Sequence, residues 1–308
     1  MKSIYDVIII GGGPCGITSG IYAIRSGLKT LILEKQNVGG QVINTYEIKN
    51  FPTYTNINGA DFCTKLYQQA KYNGLEIKYE EVISVNLKEK IKTIKTTKQE
   101  YKTKTVVISS GTTPKKLGLD REDEFIGRGI SFCALCDGNF YKDKIVAVVG
   151  GGDSSMEDAI YLSSICKKVY VLNRSEKLKA QVILQNTLKE TNNKNKNVEV
   201  IYNAKINKII GENSINSIEI IVKDETKNID VDGIFLAIGS NPDTQIFKDE
   251  IELNKNGYIV VDKNNQTNIK GVFAGGDCTQ KLIRQIITAC SDGAICGVNA
   301  NNYIKENF

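Results

Sequence analysis

The sequence predicts an α/β protein made of two Rossmann-like dinucleotide-binding domains, one inserted into the other. Three observations predict it. A strand–glycine turn–helix–strand run starts at Asp6, a second starts at Lys144, and glycine–proline turns at Gly111–Pro114 and Gly239–Pro242 interrupt the chain on either side of the second. The chain has 308 residues, enough for two domains of about 150 residues each.

In the first run, Asp6–Ile10 reads as a buried strand, Gly11–Gly16 as the turn, and Ile17–Gly27 as the helix. A second strand, Lys29–Leu33, ends at Glu34. In the second run the same parts are Lys144–Val149, Gly150–Ser155, Met156–Ile165 and Lys168–Leu172, ending at Asn173. Further strand runs are Thr105–Ser109, Val198–Tyr202, Ile215–Lys223, Asp232–Ile238 and Gly271–Ala274. Placing the domain crossings at the two proline turns gives a discontinuous first domain, 1–113 plus 243–308, and an inserted second domain, 114–242. The polar run Thr191–Asn197 reads as a solvated helix-to-strand loop.

Composition excludes several functions. The chain has no His, which removes Ser-His-Asp and Cys-His catalysis and a common metal ligand. The net charge of +5 is spread along the chain, which argues against nucleic-acid binding and against a membrane surface. No apolar run reaches the roughly 18 residues of a membrane span. The Tyr5–Ile10 run is too short for a signal peptide, so the expected location is cytoplasmic. The eight cysteines are scattered, unlike a secreted disulfide framework.

Four motifs carry chemistry. Gly11, Gly13 and Gly16 stand at G-x-G-x-x-G spacing: the first permits the turn, the second admits a pyrophosphate, and the third lets helix and strand pack closely. Helix N–H groups would hold the phosphates, and Glu34 would accept from a ribose hydroxyl. Gly150, Gly152 and Ser155 repeat the pattern with a small residue in third place. There the acid position is Asn173, followed by Arg174, Lys177 and Lys179, and cations in place of a carboxylate point to the 2′-phosphate of NADPH. Cys133 and Cys136 form the one CxxC, followed by Asp137. That spacing suits a reversible disulfide with a neighbouring proton carrier; structural zinc and a pair of inert buried cysteines are the competing readings. Finally, Gly271–Asp277 reads as a strand ending in Gly-Gly-Asp, which aims a carboxylate at a polar cofactor tail, with Arg284-Gln285 at the start of a helix.

Together these residues resemble the low-molecular-weight, bacterial-type thioredoxin reductases. The resemblance spans the chain in order: Gly11–Gly16, Val38–Gln41, Ser131–Gly138, Gly150–Ser155, Val272–Cys278 and Arg284–Ala289. It implies an FAD domain enclosing an NADPH domain that carries the redox CxxC. It places FAD on Gly11, Gly12, Gly13, Pro14, Glu34, Gln41, Asn50, Val82, Asp277, Arg284, Gln285 and Ile286, and NADPH on Gly150, Gly152, Asp153, Ser154, Arg174 and Lys179. It implies a Cys133–Cys136 disulfide, with Cys136 nearer the flavin, Cys133 attacking the partner and Asp137 as acid–base residue. It further implies thioredoxin as protein substrate, a homodimer, and rotation of the NADPH domain about linkers near Thr112–Gly118 and Ser240–Gln245.

The NADPH loop departs from the family's His-Arg-Arg followed by Arg. It reads Asn173-Arg174-Ser175 followed by Lys179, so weaker NADPH affinity or relaxed preference is expected. A ferredoxin-dependent thioredoxin reductase and a flavin-dependent dithiol oxidase of the same fold are the alternatives.

Overall fold

The computed structural model describes residues 4–45, 48 and 50–308. The chain divides into two compact units, one running to Thr113 and resuming at Asn241, the other spanning Pro114–Ser240.

Along the chain, the first unit opens with strand β1 (Tyr5–Ile10), helix α1 (Pro14–Arg25), β2 (Thr30–Glu34), α2 (Gly59–Tyr72), β3 (Glu76–Tyr79), β4 (Val82–Asn86), β5 (Lys92–Thr96) and β6 (Glu100–Ile108). Its sheet runs β3-β2-β1-β6-β5-β4. β1, β2 and β3 are parallel to β6, whereas β4 and β5 form an antiparallel meander onto its first half. The second half of β6 pairs in parallel with a strand from the returning chain, Val272–Ala274.

The buried stretches of the central strands are apolar because both faces are covered there. Ile8, Ile10, Leu31, Leu33, Val106 and Ile108 pack on one face with Phe247 and Ile259. Their alternates Val7, Ile9, Ile32 and Val107 pack on the other against Ile17 and Ile21 of α1 and against Cys296, Ala300 and Ile304 of the C-terminal helix, Ile286–Asn307. That helix lies so close to α1 that a Cβ at Gly293 would run into the Cys15 carbonyl.

After the crossing strand β7 (Thr112–Pro114), the second unit contains α3 (Glu122–Phe125), β8 (Ile130–Ser131), α4 (Ala134–Asp137), β9 (Ile145–Val149), α5 (Asp153–Ser163), β10 (Lys168–Asn173), α6 (Val182–Asn195), β11 (Val198–Tyr202), β12 (Ala204–Gly211), β13 (Ile215–Val222), β14 (Glu225–Asp230) and β15 (Gly233–Leu236). Its parallel sheet runs β11-β10-β9-β15-β8, and β12-β13-β14 form a separate antiparallel sheet. The chain leaves through β16 (Ser240–Pro242), which pairs with β7. The crossings therefore run as a paired ribbon, and the compact units divide between Thr113 and Pro114 and between Ser240 and Asn241. β17 (Val272–Ala274) and α7 (Ile286–Asn307) complete the first unit.

One expectation is corrected. Thr191–Asn195 is not loop but the end of α6, which stops at a left-handed Lys196. Three of the four asparagines in this run are hydrogen-bonding groups. Asn195 and Asn197 donate through Nδ2 to the Ser163 carbonyl at 3.1 and 2.8 Å, Asn197 also donates to the Cys166 carbonyl at 2.9 Å, and Asn192 Oδ1 accepts the Val198 N–H at 2.8 Å. Short amides that complete a neighbouring helix's open carbonyls look identical in sequence to a polar loop.

Candidate active site

The first glycine turn follows β1. Gly11 has φ +105°, and a Cβ there would collide with the Ser109 carbonyl, so neither the conformation nor the space admits a side chain. Gly16 is equally closed, its Cβ position filled by the Gly11 carbonyl. Gly13, by contrast, is open: nothing lies within 4 Å of its Cβ position, and Pro14 follows as the first residue of α1. The turn thus presents bare backbone and a helix N-terminus on one side, the arrangement an anionic diphosphate needs.

Glu34 closes the turn from β2. Its Oε2 accepts the Gly12 N–H at 2.7 Å and its Oε1 the Gln36 N–H at 2.8 Å. The Gly39 N–H donates to the Gly12 carbonyl at 2.8 Å, which brings Gly40, the start of the 3₁₀ turn Gly40–Asn44 that contains Gln41, against Gly13. Val82 lies at the start of β4, two residues beyond Glu80, whose N–H donates to the Glu34 carbonyl at 2.9 Å.

The returning chain adds a second wall to this unit. β17 ends in the turn Gly276–Cys278, which holds Asp277. Asp277 Oδ1 is buried without a hydrogen-bond partner among the described residues. Burial raises its carboxyl above the usual range, Lys281 and Arg284 pull it down, and Asp292 pushes it up. Arg284 lies over the Tyr258 ring at 4.2 Å and donates to the carbonyls of Asp277 and Thr279. Gln285 caps α7 in a reciprocal box with Thr288, Ile286 opens the helix, and Gln285 Oε1 accepts from Asn50 Nδ2 at 3.0 Å.

Sequence reading did not find Lys281 and Asp292. They form an ion pair, and Asp292 Oδ2 also accepts the Gly276 N–H at 2.7 Å, fixing the turn that holds Asp277. A lysine and an aspartate 11 residues apart, on either side of a helix start, carry no motif. The open backbone at Gly13 and the orphaned carboxylate oxygen at Asp277 fit the diphosphate and the hydroxyl-bearing tail of a dinucleotide such as FAD.

The second turn follows the same design. Gly150 has φ +148°, and nothing lies within 4 Å of a Cβ at Gly152. Ser155 is fully buried and donates to the Gly152 carbonyl at 2.7 Å, so the third position tolerates Ser because its hydroxyl has a partner. Asn173 is also buried. Its Nδ2 donates to the carbonyls of Ser175 and Lys177 at 2.8 and 3.1 Å, folding the loop after β10 back on itself. The Lys179 and Ala180 N–H groups bond the Gly151 carbonyl.

Arg174, Lys177 and Lys179 are exposed around this turn. Asp153, the first residue of α5, gives both carboxylate oxygens to Gln181, at 2.7 and 2.8 Å. Those bonds lower its pKa. Ser154 follows, exposed. The open Gly152 backbone and the exposed cations fit a phosphorylated nicotinamide dinucleotide.

Cys133 and Cys136 form a disulfide with Cα atoms 5.3 Å apart. Cys133 is the N-cap of the one-turn α4, and its Sγ accepts the Cys136 N–H at 3.2 Å. Asp137 ends the turn, and its Oδ2 accepts from Ser131 Oγ at 2.6 Å. The other six cysteines are free, and five of them are buried. Burial pushes the Cys63 and Cys278 thiols to about 11 and those of Cys166 and Cys296 to about 12, so they stay protonated near neutral pH. The disulfide between Cys133 and Cys136 thus stands apart from these buried thiols.

Comparison with known proteins agrees with this geometry. Residues 5–293 match the family described as pyridine nucleotide-disulphide oxidoreductase. The chain is 38% identical over its whole length to a thioredoxin reductase from Peptoclostridium acidaminophilum, covering 99% of that protein. It is 41% identical to a 34.2 kDa protein in the rubredoxin operon of Clostridium pasteurianum, over 97% of both chains. A thioredoxin reductase structure from Streptococcus pyogenes superposes with a TM-score of 0.87 at 36% identity, over 99% of this chain and 100% of that one.

Proposed function

This chain belongs to the pyridine nucleotide-disulphide oxidoreductases and, among them, to the thioredoxin reductases; from that premise we propose how its residues divide the work of passing electrons from NADPH through FAD and the Cys133–Cys136 disulfide to thioredoxin. The observation that carries the reading is the disulfide at an N-cap, one residue from a hydrogen-bonded carboxylate, in the unit that also holds the second glycine turn.

The unit ending at Thr113 and resuming at Asn241 is the FAD domain, and Pro114–Ser240 is the NADPH domain. FAD, bound at the first turn, supplies the two-electron relay between nicotinamide and disulfide. Gly11, Gly12, Gly13, Pro14 and Gly16 give it backbone and helix N-terminus, Glu34 holds the ribose, and Val82 meets the adenine. Gln41, Asn50, Asp277, Arg284, Gln285 and Ile286 line the remainder, with the unpartnered Asp277 oxygen accepting from a hydroxyl. Gly150, Gly152, Asp153 and Ser154 take the NADPH diphosphate, and Arg174 and Lys179 its 2′-phosphate.

Once reduced, the dithiol carries the electrons outward. The Cys136 N–H and the start of α4 favour a thiolate on Cys133 Sγ. That thiolate attacks one sulfur of the partner disulfide and expels a partner thiolate. Cys136 then attacks Cys133 Sγ, releases the second partner thiolate and re-forms the Cys133–Cys136 disulfide. Two electrons pass to the partner and its two sulfurs leave as thiols, with Asp137 moving a proton at the disulfide. The same sulfurs must serve the flavin and a bulky protein, and the β7–β16 ribbon is the element about which the NADPH domain would turn. A homodimeric, cytoplasmic enzyme completes the proposal. Among the described residues no helix is long and apolar enough to cross a membrane.

Anaerobic titration of the yellow protein with NADPH, then NADH, tests the donor. Bleaching of the flavin by NADPH at low excess is expected. Preference for NADH would overturn the assignment of Arg174 and Lys179. No response to either, with a disulfide that dithiols still reduce, would move the donor to ferredoxin or the substrate to a small dithiol. Cys133→Ser and Cys136→Ser should each abolish thioredoxin reduction while FAD stays bound.

A further inference from the structure

Ser131 stands on β8, where it pairs with Phe235 of β15, and it is 5% exposed. Its hydroxyl meets three groups of the redox turn. It donates to Asp137 Oδ2 at 2.6 Å, it has a second acceptor in the Cys133 carbonyl at 3.3 Å, and it accepts the Cys133 N–H at 3.1 Å. A hydroxyl has one proton and two lone pairs and rotates freely. When Asp137 is ionised, the Ser131 proton points at Oδ2. When Asp137 is protonated, its own O–H donates to the second Ser131 lone pair, and the Ser131 proton turns to the Cys133 carbonyl. Ser131 therefore partners Asp137 in both protonation states, and neither state requires the carboxyl to move.

We propose that Ser131 is a positioning residue of the disulfide exchange, holding the Asp137 carboxyl in one place through its protonation cycle and tying it to the backbone of Cys133. The proposal rests on Asp137 being the acid–base group. It needs no chemistry beyond that step: a proton that Asp137 gives to a leaving thiolate, or takes from a thiol, is matched by a rotation of the Ser131 O–H.

Other titratable groups lie on the elements that pack with α4 and follow it. Tyr141, in the turn that follows, interacts with Asp137, and its hydroxyl is pushed to about 12, mainly by burial, so it stays neutral. Helix α5 packs against α4 and places Tyr161 on Gly138. One turn earlier α5 carries Asp158, whose carboxyl is raised to about 7 by burial and by Glu157. Asp158 titrates in the neutral range and must be separated from Asp137 in any pH profile.

The test is the pH profile of kcat/KM for thioredoxin reduction by the flavin-loaded enzyme, with melting temperature and flavin spectrum as folding controls. Ser131→Ala removes the charge-assisted bond to the ionised carboxylate, the stronger of the two partnerships. The limb set by Asp137 should move up by about one pH unit, and kcat/KM should fall about tenfold. Ser131→Thr, which keeps the hydroxyl, should restore both. Ser131→Cys, a weak donor of similar size, should shift the limb in the same direction, and it decides the matter if the alanine variant does not fold. A Ser131→Ala profile superimposable on wild type, or a Thr variant as shifted as the Ala variant, overturns the proposal. A limb that survives in Asp137→Asn overturns the reading of Asp137 itself. A limb that disappears in Asp158→Asn belongs to α5, and Ser131 then has no part in it.

Discussion

Gly12 and Glu34 are joined across 22 residues of sequence by a 2.7 Å hydrogen bond from the Gly12 N–H to Glu34 Oε2. The corresponding pair in the second unit, Gly151 and Asn173, is built differently. Asn173 spends its amide N–H groups on the carbonyls of Ser175 and Lys177, so its amide shapes the loop that displays Arg174 and Lys179. One fold position thus holds the glycine turn through a carboxylate in one unit and braces the following loop through an amide in the other.

Glu34→Ala should therefore damage flavin binding twice, by freeing the Gly12 N–H and by removing the ribose acceptor. Hydrogen bonds to a charged group are worth about 1.5–3 kcal/mol, so FAD affinity should fall roughly 10- to 100-fold. Fluorescence titration of the deflavinated protein with FAD measures this. Glu34→Gln, which keeps an acceptor oxygen, should lie between the variant and wild type.

Arg174→Ala and Lys179→Ala should each raise KM for NADPH about tenfold and leave KM for NADH nearly unchanged, because only the 2′-phosphate loses a charge-assisted partner. Both side chains are exposed, so the difference from wild type should shrink as salt is added. An equal loss with both nucleotides would mean that the loop contacts the shared part of the molecule.

Asp158 gives a stability prediction with a defined sign. Burial, reinforced by Glu157, raises its carboxyl from an ordinary 3.8 to about 7. Between those values the folded state holds a proton that the unfolded state has lost, so stability falls as pH rises, by up to about 1.4 kcal/mol per pH unit, and levels off above pH 7. In denaturant titrations from pH 4 to 8, Asp158→Asn should lose this slope and become the more stable protein at the alkaline end.

Asn197→Ala should cost about 1–3 kcal/mol of stability, because the buried carbonyls of Ser163 and Cys166 lose a donor. Asn197 is remote in role from the redox turn, so thioredoxin reduction by the folded variant should match wild type. A melting curve beside the activity assay reports both.

The elements legible in the sequence are those whose signal is short and steric. β1, β2, β9 and β10 each carry a run of at least three consecutive apolar residues, and Gly11, Gly16 and Gly150 in the turns leave no room for a side chain. β5 and β14 were not legible. β5 reads Lys92-Thr-Ile-Lys-Thr96 and buries Lys92 to 2% exposure with its ammonium donating to the Glu89 carbonyl at 2.6 Å. β14 is almost wholly exposed and follows a turn of Lys223 and Asp224, both with positive φ, where a glycine or asparagine would have been the signal. Both strands owe their existence to a neighbour rather than to their own composition.

By itself, then, the sequence determined the two nucleotide turns, the CxxC and the small set of residues able to do redox chemistry in a chain without histidine. These are requirements on space, backbone dihedral and thiol spacing, and each is met within a few consecutive residues. Only the tertiary structure decided which groups those motifs are given as partners. Asn50 reaches Gln285 across 235 residues, Asp292 braces the turn that bears Asp277, and the Ser131 hydroxyl lies between Asp137 and Cys133. Such partnerships follow from strand order and helix docking, which bring distant residues within about 3 Å, and no local pattern in the chain records them.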